Sequence, residues 1–376
     1  MTAPGTPVGV LLVTDALEPG GLERVVVDLA AGLAADGRAV GVHAALGGAF
    51  WNELPSGVAR HPSPGTPTIR SMRRLLRTGP YRMLHAHQRK VALRANVAAF
   101  GLGVPVVEHV HNVFPPTPLA RLLSFRSALL VACGSAVRLM LEDDFGRSPD
   151  RIRLVPNGVR DLTNGAIPAL PSVVRPGTLR LVGVGRLTEQ KDPLRFVRLV
   201  AALRPLLPGT DLRATWVGGG PLLATVQQEV EDLGLTEVVT LAGQRSDVRR
   251  YLADADALLL TSRWEGLPLV ALEALAMGRG LLLPDVGSCA DAVGAGAVGR
   301  LYDPTLPDEL LAAEFADVVT PESLLDWSVA ARLRFEARFA FPRVLEQVGA
   351  AYDDTLGMTG RAPTSATPIS AGAAAR

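Results

Sequence analysis

Short apolar runs alternate with segments of helical period along most of the chain, the pattern of parallel strands joined by crossover helices. In the first half, strands are predicted at VGVLLVT (8–14), AVGVHAAL (39–46), YRMLHAH (81–87), VPVVEHVH (104–111), ALLVACGS (128–135) and RIRLVPNG (151–158). In the second half they fall at LRLVGVGRL (179–187), LRATWVGGG (212–220), VVTLAGQ (238–244), ALLLTSRWEG (257–266), GLLLPDVG (280–287) and VGRLYDP (298–304). Between the halves, GAIPALPSVVRPG (165–177) is rich in Pro and Gly and has no helical period, so it reads as a linker. PRVLEQVGAAYDDTL (342–356) has the spacing of a final helix, and the small, polar, Pro-containing stretch after it is expected to be disordered. The expected architecture is α/β, with two doubly wound, Rossmann-like domains facing a cleft. The boundaries are read as a first domain over 1–165, a linker over 166–178, a second domain over 179–336, a closing helix over 337–357 and a tail over 358–376.

Composition narrows the class without changing that picture. A chain of 376 residues, 48% hydrophobic and 20% charged, suits two globular domains with sizeable cores. The formal net charge of +1 gives no overall attraction to nucleic acid. Two cysteines, Cys133 and Cys289, lie far apart in the sequence, so neither a disulfide framework nor a zinc cluster is indicated. The N-terminal apolar run is short and lacks a basic leader, so it reads as a strand and not a signal peptide. No apolar stretch reaches the ~18 residues a spanning helix needs. A cytoplasmic protein is expected.

Open parallel sheets bind ligands beyond the carboxyl ends of their strands, so the residues just past each strand carry the most information. EPGGLER puts Gly20 and Gly21 between the first strand and the first helix, where a backbone can approach a phosphate or sugar. No G-x-G-x-x-G fingerprint occurs, which weakens a dehydrogenase reading. In GRLTEQKDP, Arg186 leaves a strand and Lys191 precedes Asp192–Pro193, a good cap and first helical residue. Two cations beside a helix N-terminus suit a diphosphate, with isolated surface cations as the plain alternative. The glycines of VGGGP, Gly219 among them, open a path to another helix or simply make a tight turn.

EGLPLVALE (Glu265–Glu273) is the most unusual stretch. Pro268 suits a first helical position and Gly278 the residue past the end, so Glu265 should sit in the loop and Glu273 inside the helix. A surface helix normally shows a broad polar stripe. This one offers a single carboxylate in an apolar wall, which is either a narrow solvent face or a contact for something polar.

Other candidates carry less weight. His85 and His87, and His109 and His111, are read as alternating across their strands, so that at most one of each pair addresses the cleft; His111, nearest its strand end and followed by Asn112, is preferred. No third group with ligand spacing is seen, and no metal site is expected. Asp254-Ala-Asp256 matches an Asp-x-Asp metal–diphosphate pattern but precedes its strand, at the wrong edge of the sheet, and reads as a turn. Arg70, Arg73, Arg74 and Arg77 form one face of an amphipathic helix, with Ile69, Met72, Leu75 and Leu76 opposite. Lacking Trp or Phe to anchor it, that face is read as solvated, with peripheral contact to an anionic inner membrane surface kept as the alternative.

Taken together, GGLERVVVDLAAGLAADG, VVEHVHN, VPNGV, VGRLTEQKD, SDVRRYLADADALLLTSRWEGLPLVALEALAMG and the closing helix resemble the GT-B-fold, family-4 retaining glycosyltransferases of the group 1 type. They occur in that family's order and span residues 8 to about 357. The resemblance implies that the final helix crosses back onto the first domain. It implies that Glu265 contacts the donor sugar, that Glu273 accepts hydrogen bonds from the nucleotide ribose, and that Arg186 and Lys191 hold the diphosphate. His111 would lie near the transferred sugar, and Gly20 and Gly21 would approach the diphosphate from the other side. Gly219, Leu269 and Val270 would complete the donor site, with GQRSDV (243–248) lining the base.

The activity implied by that resemblance is sugar transfer from a nucleotide-diphosphate donor, by default UDP-linked, to a glycan or lipid-linked hydroxyl, without a metal or other cofactor. The competing readings are a non-catalytic partner subunit and a sugar-nucleotide epimerase. The chain departs from the family's pattern at Leu283–Pro284, where small or hydroxyl-bearing residues are common, and at Asp291, where a glutamate is usual.

Overall fold

The computed structural model describes residues 8–161, 163, 170 and 176–358. Two parallel sheets carry the fold. The first has seven strands: β1 (Gly9–Val13), β2 (Val40–Ala45), β3 (Val58–Ser63), β4 (Tyr81–Ala86), β5 (Val106–Val110), β6 (Leu129–Ala132) and β7 (Ile152–Leu154). They lie in the order β3-β2-β1-β4-β5-β6-β7. The second has six: β8 (Thr178–Val184), β9 (Asp211–Val217), β10 (Val239–Gly243), β11 (Ala257–Leu259), β12 (Gly280–Pro284) and β13 (Gly299–Tyr302), in the order β10-β9-β8-β11-β12-β13. β1, β6 and β12 are buried along their whole length because helices cover both faces, which is why they read as unbroken apolar runs; β5 is equally buried but carries Glu108 and His109. In each sheet the chain order reverses once, at β1/β4 and at β8/β11.

The sequence pattern missed β3. Its residues, VARHPS, bury only Val58 and Ser63, and Pro62 is tolerated because the strand lies at the sheet's edge. The expected linker and tail fall, apart from residues 170, 176–178 and 358, outside the described residues. The closing helix runs Phe341–Met358 and does cross back. Val344, Val348, Ala351 and Tyr352 join Val25, Leu29 and Val42 in the core of the first lobe. Each of the buried valines contributes about 2 kcal/mol of apolar burial. A backbone bridge between Val159 and Ala340 marks the crossing. One apolar cluster runs through both lobes, from Val110 and Cys133 to Leu267 and Cys289, so the lobes share a packed seam.

The arginine-bearing helix Ile69–Thr78 starts on a capping box between Thr68 and Ser71. It buries Met72 and Leu76, and Arg73 donates to the carbonyls of Ala98 (2.9 Å) and Phe100 (2.7 Å). Its apolar side therefore belongs to the core.

Candidate active site

The loops that follow β8 and β11 meet at the second sheet's reversal point. Thr261 Oγ1 donates to the carbonyls of Lys191 (3.1 Å) and Asp192 (2.8 Å). The Arg263 amide donates to Gln190 O at 2.8 Å, and the Arg263 guanidinium bonds Asp192 and Glu189, each at 3.0 Å. In this stitched pair of loops Lys191 Nζ donates directly to Glu265 Oε1. Both groups are largely withdrawn from water, with side-chain exposures of 18% and 7%. Two residues singled out separately in the sequence thus form one ion pair. Nearby, the Gly219 carbonyl accepts from the Leu187 amide at 2.9 Å, which places that glycine against the loop carrying Arg186.

Asp192 and Pro193 open a helix as expected, but with a consequence for the anion site. Asp192 adopts a left-handed backbone (φ 45°), and its carboxylate accepts from the Arg195 amide at 3.3 Å. The N-terminus of helix Pro193–Leu203 is thereby closed by its own acid, and it is not the open one the sequence suggested. The open one belongs to helix Leu269–Ala276. Pro268 sits at its N-cap position, one place earlier than expected, and offers no capping side chain; no acid occupies the first turn. The amides of Leu269 and Val270 have no acceptor among the described residues and remain available to a bound group. Gly278 ends the helix in the left-handed conformation (φ 66°), where a Cβ would be strained.

Glu273 lies on the same helix, half-buried, and its side-chain carboxyl bonds no other described residue. Burial pushes its carboxyl up to about 7, opposed by Arg24 and reinforced by Asp28, both on helix Gly21–Ala35 of the other lobe. Because this value lies above the ordinary 4.5, the unfolded chain releases the proton first, and stability falls as pH rises from 4.5 to about 7. Glu273→Gln is therefore expected to melt higher than the parent by roughly 2 °C or more at pH 8, with the difference closing toward pH 5. A difference independent of pH would show that the carboxyl is hydrated.

Across the cleft, Gly20 caps helix Gly21–Ala35 without a side chain. A Cβ on Gly20 would lie 2.4 Å from Glu23 Oε2, so Glu23 folds back over the helix start. Burial raises the Glu23 carboxyl, and its own backbone amide and Arg186 of the opposite lobe oppose that rise. A Cβ on Gly21 would stand 3.5 Å from Leu269 Cδ1. Exposed Arg186, the Gly20–Gly21 turn and the start of helix Leu269–Ala276 thus border one gap. Glu23 was overlooked in the sequence, although an acid in the first turn of a glycine-capped helix was the available signal.

The lobes touch where the expected catalytic residues lie. A Cβ on Gly266 would fall 1.8 Å from the His111 carbonyl oxygen, so the backbone after Glu265 abuts the backbone of His111. Two further contacts hold this closure. Asn157 Nδ2 donates to Leu267 O at 2.9 Å, and the Ser135 amide and hydroxyl donate to Asp291 at 2.6 and 2.7 Å. The aspartate that departs from the family pattern is therefore an interlobe clasp.

The histidine expectation needs correction. Residues two apart on a strand share a face, so both members of each pair point the same way. His85, His87, His109 and His111 form one stack, with ring centroids 4.3 Å apart for His85–His87, 5.5 Å for His87–His109 and 4.1 Å for His109–His111. His87 Nδ1 and His111 Nε2 are 3.2 Å apart, and His85 Nδ1 meets Tyr352 Oη at 2.6 Å. Burial holds the His85 and His111 rings down at about 3, so they are neutral at physiological pH. The absence of a third ligand-spaced group also does not survive, since His85, His87 and His109 come within 4.8 Å of one another through their ring nitrogens. Asp256 is structural as expected: its carboxylate accepts from the Arg180 amide at 2.8 Å at the start of β11. Cys133 and Cys289 are free and buried.

Comparison with known proteins gives the chain's family and fold. The family model described as Glycosyl transferases group 1 matches residues 173–334, and that described as Glycosyltransferase Family 4 matches residues 19–161. A D-inositol 3-phosphate glycosyltransferase of Pseudarthrobacter chlorophenolicus is 29% identical over 261 residues, covering 62% of this chain and 62% of its own length. The UDP-Gal:alpha-D-GlcNAc-diphosphoundecaprenol alpha-1,3-galactosyltransferase of Escherichia coli is 29% identical over 239 residues, covering 57% of this chain and 61% of its own. The matches thus span about three fifths of these relatives' lengths. Among solved structures, a glycosyltransferase from Rickettsia africae superposes with a TM-score of 0.80 at 17% identity, covering 93% of this chain and 99% of that one. Anabaena Alr3699/HepE in complex with UDP superposes with a TM-score of 0.74 at 20% identity, covering 92% and 100%. These likenesses establish the two-lobed GT-B fold.

Proposed function

The chain belongs to the group 1, family-4 type glycosyltransferases, and from that premise we propose that it moves a sugar from a nucleotide-diphosphate donor to a hydroxyl of a glycan or lipid-linked acceptor with retention of configuration. The observation that carries this reading is the Lys191–Glu265 ion pair set against His111, where the two lobes meet. The donor's diphosphate lies between Arg186, Lys191 and the free amides of Leu269 and Val270, opposite the Gly20–Gly21 turn. The ribose hydroxyls donate to Glu273. A UDP-linked donor is favoured by the UDP and UDP-glucose complexes of the Anabaena neighbour.

The chemistry is dictated by where charge develops. As the bond from the anomeric carbon to the diphosphate oxygen breaks, positive character grows on the sugar ring and negative charge on the leaving group. Arg186, Lys191 and two aimed amides stabilise that leaving charge in a site partly shielded from water, without a metal at the diphosphate. When the diphosphate takes the Lys191 ammonium, Glu265 is released to hold the sugar beside His111. The acceptor oxygen then bonds to the anomeric carbon from the leaving-group side, and its proton passes to the departing phosphate oxygen.

The acceptor approaches through the first lobe. The helix Pro118–Leu123 exposes Leu119 and Leu122 at 66% and 63%, with Arg121 and Arg126 beside them. Exposed leucines ringed by cations fit an anionic lipid surface better than the helix Ile69–Thr78, whose apolar side is already buried. No helix among the described residues is long and apolar enough to cross a membrane. The double variant Leu119→Ser, Leu122→Ser is expected to lose at least about 10-fold in binding to phosphatidylglycerol vesicles; unchanged sedimentation would remove this contact. The reaction itself is tested by incubating the protein with a panel of sugar nucleotides, with and without lipid-linked acceptors. Acceptor-dependent release of nucleoside diphosphate supports transfer. Acceptor-independent release would favour an epimerase, and no release across the panel a non-catalytic partner.

A further inference from the structure

We infer that His85, His87 and His109 form a binding site for one divalent transition-metal ion of the zinc class, buried in the first lobe behind His111. The site arises from topology. His-Ala-His ends β4 and His-Val-His spans the end of β5, neighbouring parallel strands whose register pairs His85 with Val107 and Ala86 with Glu108. That register sets His87 level with His109, so the three imidazoles project from one face.

Three observations point to a ligand. His85, His87 and His109 are 0%, 1% and 2% exposed, yet His85 Nε2, His87 Nε2 and both ring nitrogens of His109 have no hydrogen-bond partner. Buried polar atoms are rarely left so, and four in one cluster is a large cost unless something occupies the space between them. The other nitrogens of His85 and His87 are held from outside, by Tyr352 Oη at 2.6 Å and by His111 Nε2 at 3.2 Å. That is the arrangement of metal-bound imidazoles, each fixed by a second partner. Finally, a cavity of about 10 Å³ adjoins His109, Asn157 and Val348. It has room for one water as a fourth ligand, beside the buried Asn157 side chain.

The candidate nitrogens lie within 4.8 Å of one another. Bonds of about 2.0–2.1 Å to a common ion require the rings, of which His85 and His109 are nearly parallel at 6°, to turn toward the ion as well as draw together. Imidazole-only sites suit zinc, cobalt, nickel and copper and are poor for magnesium and calcium. The ion would stiffen a ladder from Tyr352 on the crossing helix through His85 and His87 to His111. It is remote in role from the diphosphate, which the proposed reaction leaves to cations of the second lobe.

Untagged protein is stripped with chelator and titrated with Zn²⁺, and separately with Co²⁺ followed by visible absorption. One equivalent per chain and the intense absorption of four-coordinate Co²⁺ are expected. His109→Gln and His85→Gln should each weaken binding by at least about 100-fold, and Tyr352→Phe, which keeps the packing, by about 10-fold. Stoichiometric binding that is insensitive to all three substitutions would place the metal elsewhere and overturn the site. So would less than a tenth of an equivalent bound by the parent, which would assign the cavity to water. Metal stoichiometry is read without any sugar substrate, so failure here leaves the transferase proposal standing, and the reverse also holds.

Discussion

Lys191→Ala is expected to lower turnover by at least about 100-fold while the protein stays folded, and Glu265→Ala to do the same. Each loses a preorganised contact to charge that develops in the transition state, and one such contact is worth about 10²–10³ in rate. The pair also constrains how the effect should divide. Lys191 and Glu265 bond each other directly, with exposures of 18% and 7%, so either truncation leaves the other group largely buried and unpaired. Melting temperature should fall in both variants. Lys191→Arg should keep the charge and recover stability, yet recover turnover only in part, because a planar fork does not place its charge where an ammonium does. Near-normal turnover in either alanine variant, in steady-state assays with the active donor, would separate this pair from the chemistry.

Gly266→Ala carries the second large effect, and it acts through backbone alone. The added Cβ would stand 1.8 Å from the His111 carbonyl oxygen and 2.8 Å from its carbon, neither of which is the end of a flexible side chain. Relief requires the lobes to part by an ångström or more at the point where Glu265 and His111 meet. A displacement on that scale can cost about 10²-fold in rate. The overpacking itself should destabilise by about 1–3 kcal/mol. Turnover should collapse while binding of nucleoside diphosphate, which uses mostly second-lobe groups, weakens far less. A parent-like turnover would mean that the lobes open freely at this seam.

Much of this architecture is written in local pattern. Strands buried on both faces announce themselves as apolar runs; the rule that ligands gather beyond strand ends singles out Arg186, Lys191 and Glu265, and Glu273 stands out as a lone carboxylate on an apolar helix. What stayed hidden depended on partners distant in sequence. β3 is half polar and carries Pro62, which only its edge position makes acceptable. That Asp192 caps its own helix was legible in the Asp–Pro pair; that its carboxylate thereby closes that N-terminus to an anion and leaves Leu269–Ala276 as the open one was not. Asp291 read as a deviation in a sugar site and turned out to join the lobes through Ser135, 2.6 Å from its amide. The histidines are a different case. Their shared face is a consequence of the two-residue period and was misjudged, whereas the meeting of two His-x-His pairs required knowing that β4 and β5 are neighbours.

A crystal structure with UDP bound tests most directly whether one nucleotide-sugar is held between the lobes by groups of the second sheet's reversal point. The diphosphate is expected within hydrogen-bond reach of Arg186, Lys191 and the amides of Leu269 and Val270, with both ribose hydroxyls on Glu273. Nucleotide bound outside the interlobe gap, or lying there with Lys191 still bonded to Glu265 and Glu273 untouched, would contradict that placement.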